Sequence, residues 1–271
     1  EYEIYYSTFE DDSFKKFHHR MQTFLIFFID GASFVEESEF WHFFVLWQKQ
    51  IGSNGKPNYT FIGYTSMYSF YHAFDHCRRR ISQVLILPSF QRKGLGKELV
   101  KLAFSKAIED VDCFEITVED ASLEFQHLRD VIDLESILEL GVFDYFLEKS
   151  KNLSANFVNS FLTSTKENNH IKKKLKIIDN QISRVKELIV FALINEFDIS
   201  NLNEVFEDIV KRRLRRLNNE EFEPFRNKKF PYIVFDEEVE IIDAKKVYKS
   251  LNELESSLFY KTSSTKASRI L

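Results

Sequence analysis

Arg80-Ile-Ser-Gln-Val-Leu-Ile-Leu-Pro-Ser-Phe-Gln-Arg-Lys-Gly-Leu-Gly96 is the stretch on which the reading of this chain turns. Val84, Leu85, Ile86 and Leu87 are four apolar residues in a row without alternation, the pattern of a strand covered on both faces. Pro88 ends the strand. Residues 91–96 fit the pattern Gln/Arg-x-x-Gly-x-Gly/Ala, and behind them Leu99, Val100, Leu102, Ala103 and Ile108 carry helical spacing. A buried strand, a glycine-punctuated turn and a helix therefore follow one another, with Gly94 and Gly96 at the helix start.

Glycines there let a backbone approach a ligand closely. The first amides of a helix have no intrahelical partner, so with the helix dipole they favour phosphate oxygens. Arg92, Lys93 and Lys97 add positive charge beside that spot. The turn reads as a cradle for the pyrophosphate of coenzyme A. It lacks the Lys-Ser/Thr ending of a nucleotide P-loop, and its two glycines do not complete a dinucleotide fingerprint.

Outward from this stretch, Tyr2 to Tyr6 is strand-like. Phe14, Phe17, Met21, Phe24, Leu25 and Phe28 predict one long amphipathic helix, with Asp11, Asp12 or Ser13 as cap and Asp30-Gly31 as its stop. Residues 40–48 and 59–68 are rich in aromatic and β-branched residues and flank Asn54-Gly55, so they predict an antiparallel hairpin. A polar loop over residues 72–79 leads into the central stretch. After its helix, Phe114-Glu-Ile-Thr-Val-Glu-Asp120 reads as a further strand ending in two carboxylates. From Leu123 the chain is mostly helical. Its clearest stripe is Ile171, Leu175, Ile178, Ile182, Val185, Ile189 and Ala192, followed by a charged helix over residues 205–217. Residues 223–231, with Pro224 and Pro231, read as a linker, and the Ser/Thr/Lys-rich end at 262–268 as frayed. The fold class is α+β: a mixed central sheet with flanking helices, then an all-helical C-terminal domain. The predicted division is 1–140 and 141–271, with the boundary near Gly141.

The chain has 271 residues, 44% of them hydrophobic, enough to bury a sizeable core in one large or two modest domains. A net charge of −5 argues against general nucleic-acid binding and permits a cationic substrate. Cys77 and Cys113 make no disulfide framework, which predicts a reducing compartment. The longest apolar runs, 24–29 and 43–47, are far short of the roughly 20 residues of a membrane span, and no signal-peptide pattern opens the chain. Opening at Glu1 with no Met predicts an internal piece of a longer protein.

Arg20-Met-Gln-Thr-Phe-Leu25, Phe28-Ile-Asp-Gly-Ala-Ser-Phe34, Trp41-His42, Gly63-Tyr64, Arg80 to Leu87, Gln91 to Gly96, Ile116-Thr-Val-Glu-Asp120 and Leu128-Arg-Asp130 stand in the order of a known family. The chain resembles the GCN5-related N-acetyltransferases, and within them the type B histone acetyltransferase catalytic subunits. The likeness is strong over residues 14–130 and looser over 175–217. It implies that Val84, Leu85 and Ile86 line the acetyl and pantetheine arm of acetyl-CoA, and that Gln91, Arg92, Lys93, Gly94, Leu95, Gly96 and Lys97 hold its pyrophosphate. It implies Glu119 as general base, assisted by Asp120 and Asp30, and Trp41, Tyr68, Ser69 and Phe70 along the histone tail. Asp30 stands where relatives have the longer Glu, and Ala121 replaces the Pro that commonly follows the carboxylate pair. The family's N-terminal domain, which helps hold the substrate tail, has no counterpart in these residues. The resemblance further implies a WD-repeat histone-binding subunit as partner, residence in nucleus and cytoplasm, a role in chromatin, and no metal, direct nucleic-acid contact or membrane.

The residues give their own chemical logic. A lysine side chain with a pKa near 10.4 is a free amine in only about four molecules in ten thousand at neutral pH, so attack on a thioester needs a base. A carboxylate at a strand end, facing the coenzyme strand across a cleft, can take that proton directly or through water. Two neighbouring carboxylates in a buried setting resist double ionisation, and backbone amides after the apolar run can stabilise an oxyanion. Taken with the resemblance, which supplies the substrate, the expected activity is transfer of acetyl from acetyl-CoA to lysines in the tail of free histone four, held extended in an acidic cleft walled by aromatics.

Each assignment has a plainer counterpart. Glu119 and Asp120 fit a solvated turn, Asp30 a polar helix end, and Trp41, Tyr68 and Phe70 ordinary strand aromatics. His72 and His76, with Asp75 and Cys77, lack a second pair for a zinc site. Cys113 lacks a His partner for nucleophilic work. Lys211-Arg-Arg-Leu-Arg-Arg216 fits a solvated helix face or an import patch. Two whole-chain rivals stand beside the expected activity: an acetyltransferase of the same fold acting on a small amine or another protein, and a catalytically inert histone-binding scaffold.

Overall fold

The computed structural model describes residues 1–29, 31–72, 76–150 and 153–226. They form two compact units, one of Glu1–Ser122 with Lys172–Ile178, the other of Leu123–Ile171 and the chain from Asp179.

The first unit is built on a five-stranded sheet in sequence order: β1 (Tyr2–Thr8), β2 (Trp41–Ile51), β3 (Pro57–Tyr71), β4 (Cys77–Ile86) and β5 (Cys113–Val118). Pairing is antiparallel except between β4 and β5. The parallel pair needs a crossover, supplied by α3 (Leu95–Glu109). The hairpin of β2 and β3 forms as the aromatic-rich runs predict, with Gly55 at φ +73° in its turn. One face of the sheet packs on α1 (Asp12–Met21) and α2 (Thr23–Phe28), burying Phe14, Met21, Leu25, Phe43, Tyr64 and Leu85 in one cluster. Leu99, Val100 and Ala103 of α3 are likewise buried. Both faces are covered, which explains why β2 and β4 carry unbroken apolar runs.

In and around the sheet, some expectations need correction. The single helix over residues 14–28 is two, broken at Gln22, whose side-chain oxygen accepts from Val35 N at 2.9 Å. Of its candidate caps, Asp11 is the one used, taking the amides of Ser13 at 2.8 Å and Phe14 at 3.2 Å. The expected loop over 72–79 is already strand from Cys77, because Arg78 and Arg79 pair with Glu115 and Asp110 and so sit comfortably in a ladder. The stripe from Ile171 to Ala192 is not continuous: α7 (Asn168–Leu175) and α8 (Asp179–Glu196) are separated at Lys176, which has φ +56°. There Ile177 bridges Ile116 on the outer edge of β5, and Lys176 Nζ donates to Ala107 O at 3.1 Å and to Asp110 O.

The second unit is helical: α4 (Leu123–Glu139), α5 (Asp144–Glu148), α6 (Ala155–Thr163), α8 and α9 (Asn203–Arg226). Ile132, Ile137, Val158, Ile182, Val185 and Val190 are buried in its core. Polar groups are buried there too. Asp130 is fully buried, with Arg184 Nε at 2.8 Å and the amides of Gln126 at 2.8 Å and Gln181 at 2.9 Å. Arg129 Nε donates to Asp133 at 3.2 Å. Lys186 Nζ donates to Ser164 O at 2.6 Å and lies 5.5 Å from the ring centroids of both Phe143 and Phe161. In the basic run, Lys211 pairs with Glu207 at 3.3 Å and Arg212 with Asp208 at 2.6 Å on the solvated helix face, whereas Arg213 turns inward to the buried Glu187 at 2.5 Å. The expected linker over 223–231 is helical through Arg226. Its remainder, and the 262–268 segment, lie outside the described residues. Among the described residues no helix is long and apolar enough to cross a membrane.

Candidate active site

Strands β4 and β5 pair only from Cys77 to Ile81 on β4 and from Cys113 to Val118 on β5. The last link is Glu119 N donating to Ile81 O at 2.9 Å. Beyond it, among the described residues, β4 continues through Ile86 without a strand partner on the β5 side. That leaves a slot whose one wall is an open strand edge, with backbone donors and acceptors available to an extended ligand arm. Val84 is half-buried. Leu85 and Ile86 are buried, and Leu85 belongs to the core cluster with Phe43 and Tyr64. Leu85 is committed on both counts: its side chain lies in the core and its backbone pairs with Tyr64 of β3, so by alternation it is Val84 and Ile86 whose backbone groups face the open edge.

The glycine turn follows. Pro88–Phe90 makes one 3-10 turn, and Gln91 reaches back so that its side-chain amide donates to Ile86 O at 2.8 Å. Arg92 at φ +58° and Gly94 at φ +79° bend the chain into α3, where Gly94 is the N-cap. A Cβ at Gly94 would meet nothing within 4 Å, so the glycine serves the backbone conformation and leaves open space in front of it. Glu98 N donates to Gly94 O at 3.2 Å, which leaves the amides of Leu95 and Gly96 directed out of the helix end. The turn is exposed. Lys93 is engaged locally, donating to Ser89 O at 2.8 Å and lying 5.2 Å over the Phe90 ring. An open strand edge running into a helix N-terminus fits an extended thioester arm ending in a pyrophosphate.

Glu119 and Asp120 come just past the end of β5, at the mouth of the slot. Both are exposed, contrary to the burial expected for the pair, and Asp120 has φ +35°. Glu119 is not loose: Ser82 Oγ donates to its Oε2. Ser82 owes its place to an irregularity. Ser66 pairs with Gln83 and Met67 with Ile81, so Ser82 is the extra residue of a β-bulge.

Along the α1 side of the sheet runs an aromatic row. Trp41 and Tyr68 have ring centroids 4.8 Å apart, Tyr68 and Phe70 4.7 Å, and both pairs are edge-to-face. Arg80, opposite Tyr68, lies 4.6 Å over Phe70, and Phe40 meets Tyr68 at 6.0 Å. Trp41, Tyr68 and Phe70 are thus brought together, and Arg80 adds positive charge to a wall expected to be acidic. Ser69 is not with them. Successive strand side chains alternate faces. Its hydroxyl lies 3.0 Å from His42 Nε2, whose Nδ1 is 2.7 Å from Tyr6 OH. Burial, reinforced by the Arg79 charge, pushes the His42 imidazole down to about 4, so this chain of hydrogen bonds is uncharged at neutral pH. Asp30 lies outside the described residues.

Arg80, Phe40 and Ser82 were not singled out by the sequence. The first two meet the aromatic row through strand pairing, which local pattern does not report, and the bulge that redirects Ser82 has no composition signature. Burial pushes the Cys113 thiol up to about 11, which disfavours a thiolate nucleophile. The His72 ring stacks on Phe114 at 4.7 Å, residues 73–75 lie outside the described residues, and among the described residues no cluster of His, Cys, Asp or Glu is arranged to hold a metal ion.

Residues 2–127 match the sequence model of the Acetyltransferase (GNAT) family. The chain is 34% identical over 220 residues to a protein of Mycosarcoma maydis named histone acetyltransferase type B catalytic subunit, a match covering 81% of this chain and 47% of that protein. Proteins of the same description in Cryptococcus neoformans (33%, covering 81% and 52%) and Dictyostelium discoideum (31%, covering 80% and 46%) are similar to it as well. The chain spans about half the length of these relatives.

Proposed function

We propose, from the premise that the chain belongs through residues 2–127 to the GNAT acetyltransferase family, that it catalyses acetyl transfer from acetyl-CoA to lysine side chains of a histone tail. The observation that carries this reading is the slot between β4 and β5. One wall is an open strand edge running into the glycine turn, and the opposite lip carries Glu119 and Asp120. Bound acetyl-CoA supplies an acyl carbon activated as a thioester. The chain's own residues do the rest. The open edge of β4 from Val84 to Ile86 and the amides opening α3 hold and orient the co-substrate. Trp41, Tyr68 and Phe70 wall the approach of an extended tail. Glu119 accepts the proton that the lysine ammonium must lose before it attacks, and Asp120 keeps the lip negative, favouring a cationic side chain there. The assisting role that the resemblance implies for Asp30 belongs to the same proposal.

The names of the relatives support a histone substrate, and the preference we infer is for the tail of free histone four, in which small residues alternate with lysine. A WD-repeat histone-binding subunit, and residence in both nucleus and cytoplasm, belong to the same proposal. The test is a competition among acceptors: initial rates of transfer from acetyl-CoA to histone-four tail peptides, polyamines and aminoglycosides. Preference for the peptide is expected. Preference for a small amine would overturn the histone assignment, and absence of transfer to any acceptor with coenzyme A still bound would favour an inert scaffold.

A further inference from the structure

We infer that Ser82 is a positioning residue for the proposed base, an assignment that rests on the reading of Glu119 given above. β4 passes from its arginines, Arg78 to Arg80, into the segment Ile81 to Ile86 that runs toward the slot, and its bulge interposes one small hydroxyl, half-buried, between Ile81 and Gln83. Without the extra residue, the side chain at this position would be fixed to one face of the ladder by alternation. As the bulged residue it is released from pairing with β3 and turns toward the end of β5.

Two bonds then join the same short segments. Glu119 N donates to Ile81 O at 2.9 Å, fixing the backbone, and Ser82 Oγ donates to Glu119 Oε2, fixing the carboxylate. A free Glu has three rotatable side-chain bonds, and at an exposed strand end it would sample many orientations. The serine selects one of them. It occupies one carboxylate oxygen and leaves Oε1 to face the incoming ammonium. A hydrogen bond to an ionised acceptor is among the stronger kinds, so a single hydroxyl suffices for this role. The neighbouring Gln83 is committed elsewhere. Its side chain is spent on Tyr64 OH at 3.0 Å, Ser66 Oγ at 3.3 Å and the carbonyl of Ser33 at 3.0 Å, so it cannot substitute for Ser82.

The test is a double-mutant cycle on the full chain with acetyl-CoA and a histone tail peptide. Ser82→Ala should lower kcat by about tenfold with KM for acetyl-CoA unchanged, because orientation of the base is lost while the cradle is intact. Ser82→Thr, which keeps the hydroxyl on a residue suited to a strand, should recover most of the rate. In a Glu119→Gln background, Ser82→Ala should cost little further, since the residue acts only through the carboxylate. Full additivity of the two substitutions, or an unchanged kcat for Ser82→Ala, overturns the inference about Ser82 alone. An unchanged kcat for Glu119→Gln overturns the base assignment on which it rests. A fall in thermal stability of Ser82→Ala that Ser82→Thr does not restore would mark a structural role instead.

Discussion

In the first unit the carboxylates that matter stand exposed at a strand end, with a core below them made of apolar and aromatic side chains. In the second unit Asp130, Asp133, Lys186 and Glu187 are buried inside a helical bundle. The difference separates two uses of charge. An exposed carboxylate contributes little to stability, so it is free to exchange protons and meet a cation. A buried one must be matched by partners, and losing a partner leaves an uncompensated charge in a low-dielectric interior. Substitutions in the first unit should therefore change turnover before stability, and those in the second stability before turnover.

The largest expected effect tests the second half of that contrast. Asp130→Ala leaves Arg184, Gln126 and Gln181 without their shared acceptor, and should cost about 3–5 kcal/mol in denaturant unfolding. A loss below about 1 kcal/mol would mean that the bundle does not depend on its buried charge.

Next comes the sign of the pH response. Burial pushes the Asp133 carboxyl up to about 6 from an ordinary 3.8, with the Arg129 charge opposing it. The folded chain holds that proton more tightly than the unfolded one. This contribution is complete below about pH 4 and is lost as pH rises through 6, a change on the order of 3 kcal/mol. His42 in the first unit works the other way. It is held down at about 4 from an ordinary 6.5, so the unfolded chain binds its proton first and stability is lost as pH falls from 6.5 toward 4. Asp133→Asn and His42→Gln should each remove one of these opposed slopes, read as unfolding free energy between pH 4 and 7. Slopes of the same sign would break the comparison.

The smallest effect concerns the cradle. Gly94→Ala keeps open space around the new methyl but puts a side chain at φ +79°, which should cost about 1–2 kcal/mol and weaken coenzyme A binding severalfold. Thermal unfolding and calorimetric titration measure the two separately.

Much of this was legible in the residues. The unbroken run Val84 to Leu87 announced a strand buried on both faces, and Gly94 sits where the turn needs φ above zero. Asn54-Gly55 marked the hairpin correctly. What stayed hidden has a common cause, because periodicity reports local pattern and not tertiary pairing. Arg78 and Arg79 looked like loop because their strand role depends on Glu115 and Asp110, more than thirty residues away. The stripe through Ile171 and Ile182 keeps its period across Lys176, where the chain leaves the helix to bridge β5. Ser69 was grouped with Tyr68 and Phe70 through the family resemblance, although alternation sends it to the other face. Ser82 gave no signal, since a bulge is a property of two strands in register.

The most direct test of the central claim is single-turnover acetyl transfer from acetyl-CoA to a histone-four tail peptide, comparing the unmodified chain with Glu119→Gln, alongside the Kd for coenzyme A of each. The account predicts a rate lower by at least about a hundredfold, with Kd unchanged. An equal rate in the two proteins, at equal coenzyme A affinity, would contradict it.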